Sequence, residues 1–440
     1  MTLRLGTGAG YSGSRVEPAL EIAQSGDVSY LIFECLGERT IAIAQNLRRE
    51  GRGTGFDPYL EWRMPRVLEA CLPRDIRIVS NMGAANPDAA GLRIRELVGE
   101  MGLKPVRIGV IHGDDALDVV RSSDAELDTG ARVSELGDRL VSASAYIGAE
   151  PIVEALQRGA RIVIGGRIAD PSLFLGPMRF EFGWGDREWS LLGAGTLVGH
   201  LLECSAQVTG GYFADPGYQE VDGLESVGFP IAEVEPTGEA VITKVAGSGG
   251  LVSVATCAEQ VLYEVGDPTA YLTPDVTADF SNSTLAEVGR DRVRVRGGSG
   301  RPAPDKLKVA VGYLDGFIGE GAISYGGPGA LARARLAGEI IQKRLALIGL
   351  DVRELCVDVI GWDSLYGRSL SDAEPGEVRL RIAGKTSTRE EADEIGHEVE
   401  ALYGTGPAGG GGVGRSVKEV LAIGSCYIPR KLVTLEVEIL

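Results

Sequence analysis

The segment YLIFECL, residues 30–36, is a short apolar strand that ends in a carboxylate and a thiol. Similar runs recur through the first half of the chain, and stretches with helical spacing of apolar residues separate them. The predicted strands are residues 3–5, 30–33, 76–79, 107–111 and 161–164, and the predicted helices are residues 16–24, 39–49, 89–101 and 152–157. Strands that alternate with helices form βαβ units, so this half predicts a parallel, Rossmann-like α/β sheet.

The second half of the chain has different patterns. β-branched pairs and turn signals dominate residues 230–321, which is typical of antiparallel strands, and residues 331–348 have the spacing of an amphipathic helix. The last predicted elements are a strand at 377–382, a helix at 387–403 and a strand at 431–440. We therefore predict three domains, namely an α/β Gly-loop domain (1–215), a β-rich insertion or second domain (216–330) and a C-terminal α+β module (331–440).

Two local signals refine the C-terminal module. Ser387 and Glu390 have the spacing of a capping box, which predicts that the helix begins there. Residues 404–414 are rich in glycine, which predicts a flexible loop that could act as a lid.

The composition excludes several classes of protein. The 440 residues include 44 Lys and Arg against 62 Asp and Glu, a formal charge of −18, which disfavours binding to nucleic acid and to anionic membranes. We find neither a run long enough to span a bilayer nor a secretory signal. The six cysteines are scattered without a CxxC pair, which argues against a zinc or iron–sulfur framework. A cytoplasmic protein is expected.

The segment GHLLECSAQVTGG, residues 199–211, carries unusual polar groups. If residues 189–207 form one helix, His200, Glu203, Cys204 and Gln207 share a face, and Thr209 lies in the break that follows. Buried polar groups must satisfy one another or face a ligand, and both alternatives remain open. His200 and Glu203 also have the spacing of a pair of metal ligands, but no second histidine lies nearby in the sequence. Cys204 is either a nucleophile or a small buried residue.

The segment GAGYSG, residues 8–13, matches the GxGxxG pattern between a predicted strand and a predicted helix. Glu34 ends the next strand, where a ribose-binding acid would lie in a dinucleotide site. The alternatives are an anion cradle made of backbone N–H groups and a simple tight turn.

Other polar residues also follow predicted strands, and ligands bind at the carboxyl ends of strands in parallel sheets. Asp114 and Asp115 could hold a cation, act as a base and its orienting partner, or cap a helix. Arg167 suits a substrate carboxylate, with a structural pair to Asp170 as the alternative. Asn81 is a candidate neutral donor. We find no GxSxG, HExxH or Walker pattern in the sequence.

Several of these segments together resemble the acyclic terpene utilisation AtuA-type family. They are GTGAGYSGSR (6–15), YLIFECL (30–36), NMGAANP (81–87), GRIAD (166–170) and GHLLEC with TGG (199–211). The resemblance extends to about Ser364 and more loosely to the C-terminus. The resemblance implies a role in degrading citronellol- and geraniol-type compounds. Genes of many relatives lie beside genes for carboxylate uptake or acyl-CoA metabolism. Some relatives carry an additional small C-terminal domain, so the resemblance also implies a small partner subunit here.

From these observations we expect a lyase, a hydratase or dehydratase, acting on a small carboxylate or acyl-CoA in terpenoid or branched-chain acid degradation. In this hypothesis His200, oriented by Glu203, moves a proton, and Asp170 or Asp114 assists at the water. Asn81 or Gln207 polarises the carbonyl. The candidate catalytic residues are His200, Glu203, Asp170, Asp114 and Cys204, and the candidate substrate-binding residues are Gly8, Gly10, Gly13, Glu34, Asn81, Arg167, Gln207 and Thr209.

Two alternatives come from other classes. One is a nucleotide-dependent oxidoreductase that uses Gly8, Gly10, Gly13 and Glu34. The other is a non-catalytic subunit that needs a small partner. No obligatory cofactor is inferred, a metal or nucleotide stays open, and a homo-oligomer is expected.

Overall fold

The computed structural model describes residues 2–370 and 373–440, and the chain divides into two compact units. Unit 1 contains the chain up to Gly312 together with Ile423–Leu440, and unit 2 is Tyr313–Ala422. These units do not coincide with the predicted segments 1–215, 216–330 and 331–440, which as functional domains stay a prediction. In the described part of the chain, no helix has both the length and the apolar character needed to cross a membrane.

The elements are numbered in chain order. The strands are β1 (Leu3–Ala9), β2 (Tyr30–Phe33), β3 (Arg77–Ser80), β4 (Ile108–His112), β5 (Leu140–Ala145), β6 (Ile162–Ile164), β7 (Pro230–Val234), β8 (Ala240–Lys244), β9 (Tyr271–Leu272), β10 (Thr277–Asp279), β11 (Thr284–Gly289), β12 (Arg292–Arg296), β13 (Ser299–Arg301), β14 (Lys306–Gly326), β15 (Glu354–Ile360), β16 (Glu377–Thr386), β17 (Gly411–Pro429) and β18 (Glu436–Ile439). The α-helices are α1 (Glu17–Ser25), α2 (Glu38–Arg49), α3 (Leu60–Cys71), α4 (Pro87–Glu100), α5 (Leu117–Ser123), α6 (Val133–Leu136), α7 (Glu150–Gln157), α8 (Asp170–Phe182), α9 (Trp189–Glu203), α10 (Val254–Leu262), α11 (Ala330–Leu347) and α12 (Arg389–Thr405).

Unit 1 is built on a mixed sheet with the strand order β11-β12-β8-β7-β1-β2-β3-β6-β4-β18. The strands β1, β2, β3, β6 and β4 run parallel, which confirms the parallel sheet predicted from the sequence. Strands β7, β8, β11 and β12 of the β-rich segment extend the same sheet in antiparallel pairing. The last strand, β18, pairs antiparallel with β4 at the other edge. The C-terminal strand therefore belongs to unit 1.

The strands of the parallel sheet are buried on both faces because helices cover both sides. On one face, Tyr30 and Ile32 of β2 pack into a core that includes residues of helices α8 and α9. On the other face, Leu31 and Phe33 pack into a core that includes residues of α1, α3 and α4. The alternation of side chains along a strand explains this division. Helix α9 is buried from Leu192 to Glu203, which explains why it lacks a polar stripe.

Several local predictions need correction. Strand β1 extends to Ala9 and includes Gly6 and Gly8, so the predicted loop begins later. Helix α9 ends at Glu203 rather than at residue 207, because Ser205 has a φ of +52°, in the left-handed region, and a short 3-10 turn, Ser205–Gln207, follows. Strand β5 and helices α3 and α8 were not predicted. The small residues of β5, LVSASA, weaken its apolar signal.

Unit 2 contains the residues of β14 and β17 that lie within 313–422, with α11, β15, β16 and α12 between them. Its strand order is β15-β16-β14-β17, so its topology is the βαββαβ of ferredoxin-like folds. The predicted capping box is one residue off, because Thr388 and Glu391 form it at the start of α12. The predicted lid at 404–414 is also partly wrong, because β17 begins at Gly411.

Candidate functional site

The carboxyl ends of β2, β3 and β6 bring together three residues predicted from the sequence. Glu34 follows β2, and its Oε1 accepts hydrogen bonds from the backbone N–H of Leu36 (2.7 Å) and from Nδ2 of Asn81 (3.1 Å). Burial and the charge of Asp170 raise the pKa of Glu34 to about 8, although Arg167 opposes the shift. The Glu34 carboxyl is therefore mostly protonated at neutral pH.

Asn81 follows β3 and is fully buried. Its Oδ1 accepts the backbone N–H of Cys35 at 2.7 Å, while its Nδ2 donates to Glu34. Both ends of the amide are engaged within the protein. Asn81 fixes the turn after β2 and is not placed to polarise a substrate carbonyl.

Arg167 follows β6, and its side chain is 1% exposed. Its Nη2 donates to Oδ1 of Asp170, and the guanidinium lies 4.4 Å from the ring centroid of Tyr146. Its Nε and Nη1 have no hydrogen-bond partner in the described part of the chain. Burying a guanidinium with unused N–H donors costs free energy of folding. The contacts with Asp170 and with the Tyr146 ring offset part of that cost.

Asp114 contacts the backbone of the turn that contains Arg167. Its Oδ2 accepts the backbone N–H of Arg167 at 2.7 Å, and burial raises its pKa to about 6. A side chain at Gly166 would collide with the same carboxylate, at 2.2 Å from Oδ2. Asp115 accepts the N–H of Leu117, the first residue of helix α5, although the N-cap position itself is Ala116. The two acids thus have separate contacts within the protein.

Asp170 begins helix α8, and its side chain is 35% exposed. Of the five candidate catalytic residues, Asp170 alone lines a cavity of about 280 Å³. Partial burial raises its pKa against the opposing effect of Arg167. Its position at the first turn of a helix also suits a negative charge.

His200 and Glu203 contact each other, as their spacing predicted. Nδ1 of His200 lies 2.9 Å from Oε1 of Glu203, and both side chains are buried. Burial lowers the pKa of His200, but the Glu203 carboxylate outweighs it and the pKa is raised. Burial also raises the pKa of Glu203 to about 7, against the effect of His200. The two groups therefore titrate as a pair and not independently.

The remaining residues of segment 199–211 are placed differently from the single-helix prediction. Cys204 lies after the end of α9, and burial together with the Glu203 charge raises the pKa of its thiol, which does not favour a nucleophilic thiolate. Gln207 lies in the 3-10 turn, next to Tyr263. Thr209 is fully buried, and its hydroxyl donates to the carbonyls of Gly228 (2.6 Å) and Ala206 (3.1 Å). Thr209 therefore holds the chain rather than facing a ligand.

The glycine segment 8–13 packs against protein instead of forming an open cradle. A Cβ at Gly8 would lie 2.4 Å from the Phe33 ring, and a Cβ at Gly10 would lie 2.6 Å from the backbone of Cys204. The N–H groups of Gly10 and Tyr11 both donate to the Ser14 hydroxyl. At Gly13 a Cβ would meet the Tyr11 ring. These contacts and the inward position of Glu34 disfavour the binding of a nucleotide or phosphate at this segment.

The cavity beside Asp170 is lined by residues from several elements. They are Glu38, Tyr146, Ala169, Asp170, Pro171, Glu264, Tyr271, Leu272, Thr273, Pro274, Pro304, Lys306, Leu307, Lys308 and Tyr427. Burial raises the pKa of Glu38, but hydrogen bonds from Tyr146 and Lys308 outweigh it and lower the pKa to about 2. Glu264 has a φ of +57°, and such strained residues cluster at functional sites.

Sequence reasoning missed most of this lining. Tyr146 follows the unpredicted strand β5, and Tyr271 belongs to a two-residue strand without a detectable pattern. Lys308 lies within residues 230–321, for which the sequence predicts only antiparallel strands. A signal was available at residues 306–308, where alternate positions of one strand carry lysines and therefore share a face.

A separate group of possible metal ligands lies on the surface of unit 1. Nε2 of His112 is 3.5 Å from Oδ1 of Asp88 and 3.9 Å from Oε2 of Glu438. Among the described residues these three could hold an ion, although the two acids are more than half exposed. This group is not part of the cavity lining.

The fold and the site together define a mixed α/β protein that gathers buried acids and a buried arginine at the carboxyl ends of parallel strands. The chain belongs to the acyclic terpene utilisation family AtuA, whose family model matches residues 3–439. The resemblance seen in the sequence segments is thereby confirmed.

Other comparisons are less informative. No curated protein matches the sequence. Aspartate kinase from Clostridium acetobutylicum is 10% identical, with 90% of this chain and 98% of that chain covered and a TM-score of 0.19. Homoserine dehydrogenase from S. aureus is 11% identical, with 91% and 83% covered and a TM-score of 0.14. At such TM-scores neither similarity carries an argument about fold or function.

Proposed function

We propose that this protein is a catabolic enzyme that adds water to, or removes it from, a small carboxylate or its acyl-CoA thioester. Membership of the acyclic terpene utilisation family supports a role in the degradation of terpenoid or related branched acids. The observation that carries the proposal is the position of Asp170, whose carboxylate lines the cavity while a buried arginine holds it. A carboxylate in this position can serve a hydro-lyase reaction as both base and acid.

Removal of water from a 3-hydroxyacyl compound needs a base for the proton beside the carbonyl and an acid for the departing hydroxyl. Asp170 can do both in turn, because its raised pKa brings it closer to neutral pH than an ordinary aspartate. Arg167 acts as a positioning residue, since its Nη2 donates to one oxygen of Asp170 and leaves the other oxygen available for proton transfer.

The anionic part of the substrate requires a cation at the cavity. Lys306 and Lys308 both line the cavity, and Lys308 already pairs with Glu38 at 3.0 Å. Lys306 is exposed and has no ion pair in the described part of the chain. We therefore assign the carboxylate or phosphate of the substrate to Lys306, in place of the glycine segment 8–13.

The role first considered for His200 changes in this proposal. The His200 ring does not line the cavity and contacts it through Tyr271, with 5.2 Å between ring centroids. We therefore assign proton transfer to Asp170, and we keep His200 and Glu203 as a buried hydrogen-bonded pair next to Tyr271. Asp114 holds the backbone of Arg167 and does not move a proton.

The test is an activity assay on purified protein with branched and linear 3-hydroxyacyl-CoA thioesters and the free acids. Formation of the unsaturated product is followed by its ultraviolet absorbance. Asp170→Asn should lower kcat by about 10²–10⁴-fold, the usual size of a general acid–base contribution. The matched control is Asp186→Asn, because Asp186 also pairs with a buried arginine of α8, Arg179, but away from the cavity.

Two results would contradict the proposal. One is a wild-type protein that turns over none of these compounds, alone or with a small co-purifying subunit, which would favour a non-catalytic role. The other is an Asp170→Asn protein with wild-type kcat. A homo-oligomer and a small partner subunit remain proposals as well, and native mass spectrometry of gently purified protein tests both.

A further inference from the structure

Tyr271 lines the cavity, its ring packs against two neighbouring rings, and its hydroxyl is unused. Its ring centroid lies 5.2 Å from that of His200 and 5.1 Å from that of Phe280, and the His200 and Phe280 rings lie 5.7 Å apart. Each of the three rings therefore packs against the other two, and Phe280 and His200 are buried. Such packing restricts the motion of the Tyr271 ring.

The hydroxyl of Tyr271 differs from those of Tyr146 and Tyr30. The hydroxyl of Tyr146 donates to Glu38, and that of Tyr30 donates to Glu181. Tyr271 lines the same cavity as Asp170, and within the described residues its hydroxyl has no hydrogen-bond partner. A rigid phenol with a free hydroxyl at a cavity is a preorganised hydrogen-bond donor.

We propose that the Tyr271 hydroxyl donates a hydrogen bond to the carbonyl oxygen of the substrate and stabilises the negative charge that develops there. This inference rests on the proposed hydro-lyase function. The two donors first considered for this task do not fit, because both ends of the Asn81 amide are engaged and Gln207 is absent from the cavity lining.

The proposed step balances in protons and electrons. The bond between hydrogen and the carbon beside the carbonyl breaks, the proton goes to Asp170, and the electron pair moves to the carbonyl oxygen, where Tyr271 holds the enolate. The bond from the next carbon to its hydroxyl then breaks, and Asp170 returns the proton so that water leaves. The carbonyl re-forms as the new double bond forms. Hydration follows the same steps in reverse.

The surroundings keep the phenol protonated throughout. Burial raises the pKa of Tyr271, and the negative charges of Glu203, Asp170 and Glu264 raise it further. The phenol is therefore a donor at neutral pH. The His200–Glu203 pair has a positioning role in this arrangement, because its imidazole forms one side of the ring packing.

The test is Tyr271→Phe, which keeps the ring packing and removes the hydroxyl alone. We expect kcat to fall by about 10²–10³-fold, the cost of losing one oxyanion donor, with KM changed by less than about threefold. Tyr218→Phe, at an exposed tyrosine outside the cavity, is the control and should keep wild-type kinetics. Circular dichroism confirms that each variant is folded.

A second readout separates this inference from the proposed function. The ultraviolet band of an unsaturated acyl-CoA shifts to longer wavelength when a donor polarises its carbonyl, so binding of crotonyl-CoA should shift the band in the wild type and not in Tyr271→Phe. A full shift or wild-type kcat in Tyr271→Phe overturns the inference while the hydro-lyase function stands. Loss of the shift in a wild-type protein that binds crotonyl-CoA also overturns it. Absence of turnover with the shift present contradicts only the hydro-lyase function.

Discussion

Two arginine–aspartate pairs involve helix α8, and their surroundings differ. Arg167 and Asp170 have side chains that are 1% and 35% exposed, whereas those of Arg179 and Asp186 are 8% and 82% exposed. The first pair borders the cavity, and the acid Glu34 interacts with both of its members. In the second pair the aspartate is surrounded by water. The same two residue types therefore form a largely buried pair beside a cavity in one place, and in the other a pair whose aspartate is exposed to solvent.

The largest effect is expected from Arg167→Met. Removal of the guanidinium leaves the buried acids around it without their cation, and breaking a buried pair in this way typically costs about 3–5 kcal/mol. The free energy of unfolding from urea titration measures this cost. Arg187→Met, at an exposed arginine, is the control and should change stability by less than about 0.5 kcal/mol.

An Arg167→Met protein that unfolds at the wild-type urea midpoint at neutral pH would contradict the claim that the buried pair contributes more stability than the exposed one. In that case the acids around Asp170 would not need the arginine. A lower midpoint with wild-type kcat would instead limit Arg167 to stability and remove its positioning role.

A pH effect of intermediate size is expected from Glu34. Its pKa is raised from 4.5 to about 8, so over that range the folded protein holds a proton that the unfolded chain has released. The free energy of unfolding therefore falls as pH rises from about 4.5 to about 8. Glu34→Gln removes the titrating group but keeps an oxygen for Leu36 N–H and Asn81 Nδ2, so its stability should fall less over this interval.

Urea titrations of wild type and Glu34→Gln at several pH values in this interval measure the difference. Glu61→Gln, at a surface acid, serves as the reference and should follow the wild type. Parallel curves for wild type and Glu34→Gln would show that Glu34 is ionised in the folded protein. The buried arginine would then be paired with two negative charges rather than one.

Much of the fold could be predicted from the sequence because the buried strands are uniform apolar runs. The apolar run at residues 30–33 predicts the strand that the structure has there, and alternation with helices predicts that the strands of this half run parallel. Their order in the sheet was not predicted. Strand β5 was missed because Ser and Ala have little apolar signal. The β-rich segment was recognised, but its pairing with β1 through β7 depends on contacts distant in sequence.

The candidate site was predictable only where local spacing decides contact. His200 and Glu203 meet because they are one helical turn apart, and Arg167 and Asp170 meet for a similar reason across a turn into α8. The glycine pattern at residues 8–13 cannot distinguish a phosphate site from close packing, because both need residues without a side chain. In the structure this segment packs against the end of α9. Tyr271 could not be found, since its role depends on tertiary packing with Phe280.

The smallest effect is expected from Asp186→Asn. Asp186 is mostly in water, and exposed ion pairs contribute about 0–1 kcal/mol because solvent and salt screen them. The buried Arg179 keeps Asp275, at 3.9 Å, as a second negative neighbour, which limits the loss further. The free energy of unfolding at low and high salt tests this, with a loss below about 1 kcal/mol expected in low salt and a smaller one in high salt. A loss as large as that of Arg167→Met would mean that burial of the arginine, and not exposure of its acid, decides the energy of such pairs. The difference between the two pairs would then lie in the cavity that Asp170 faces.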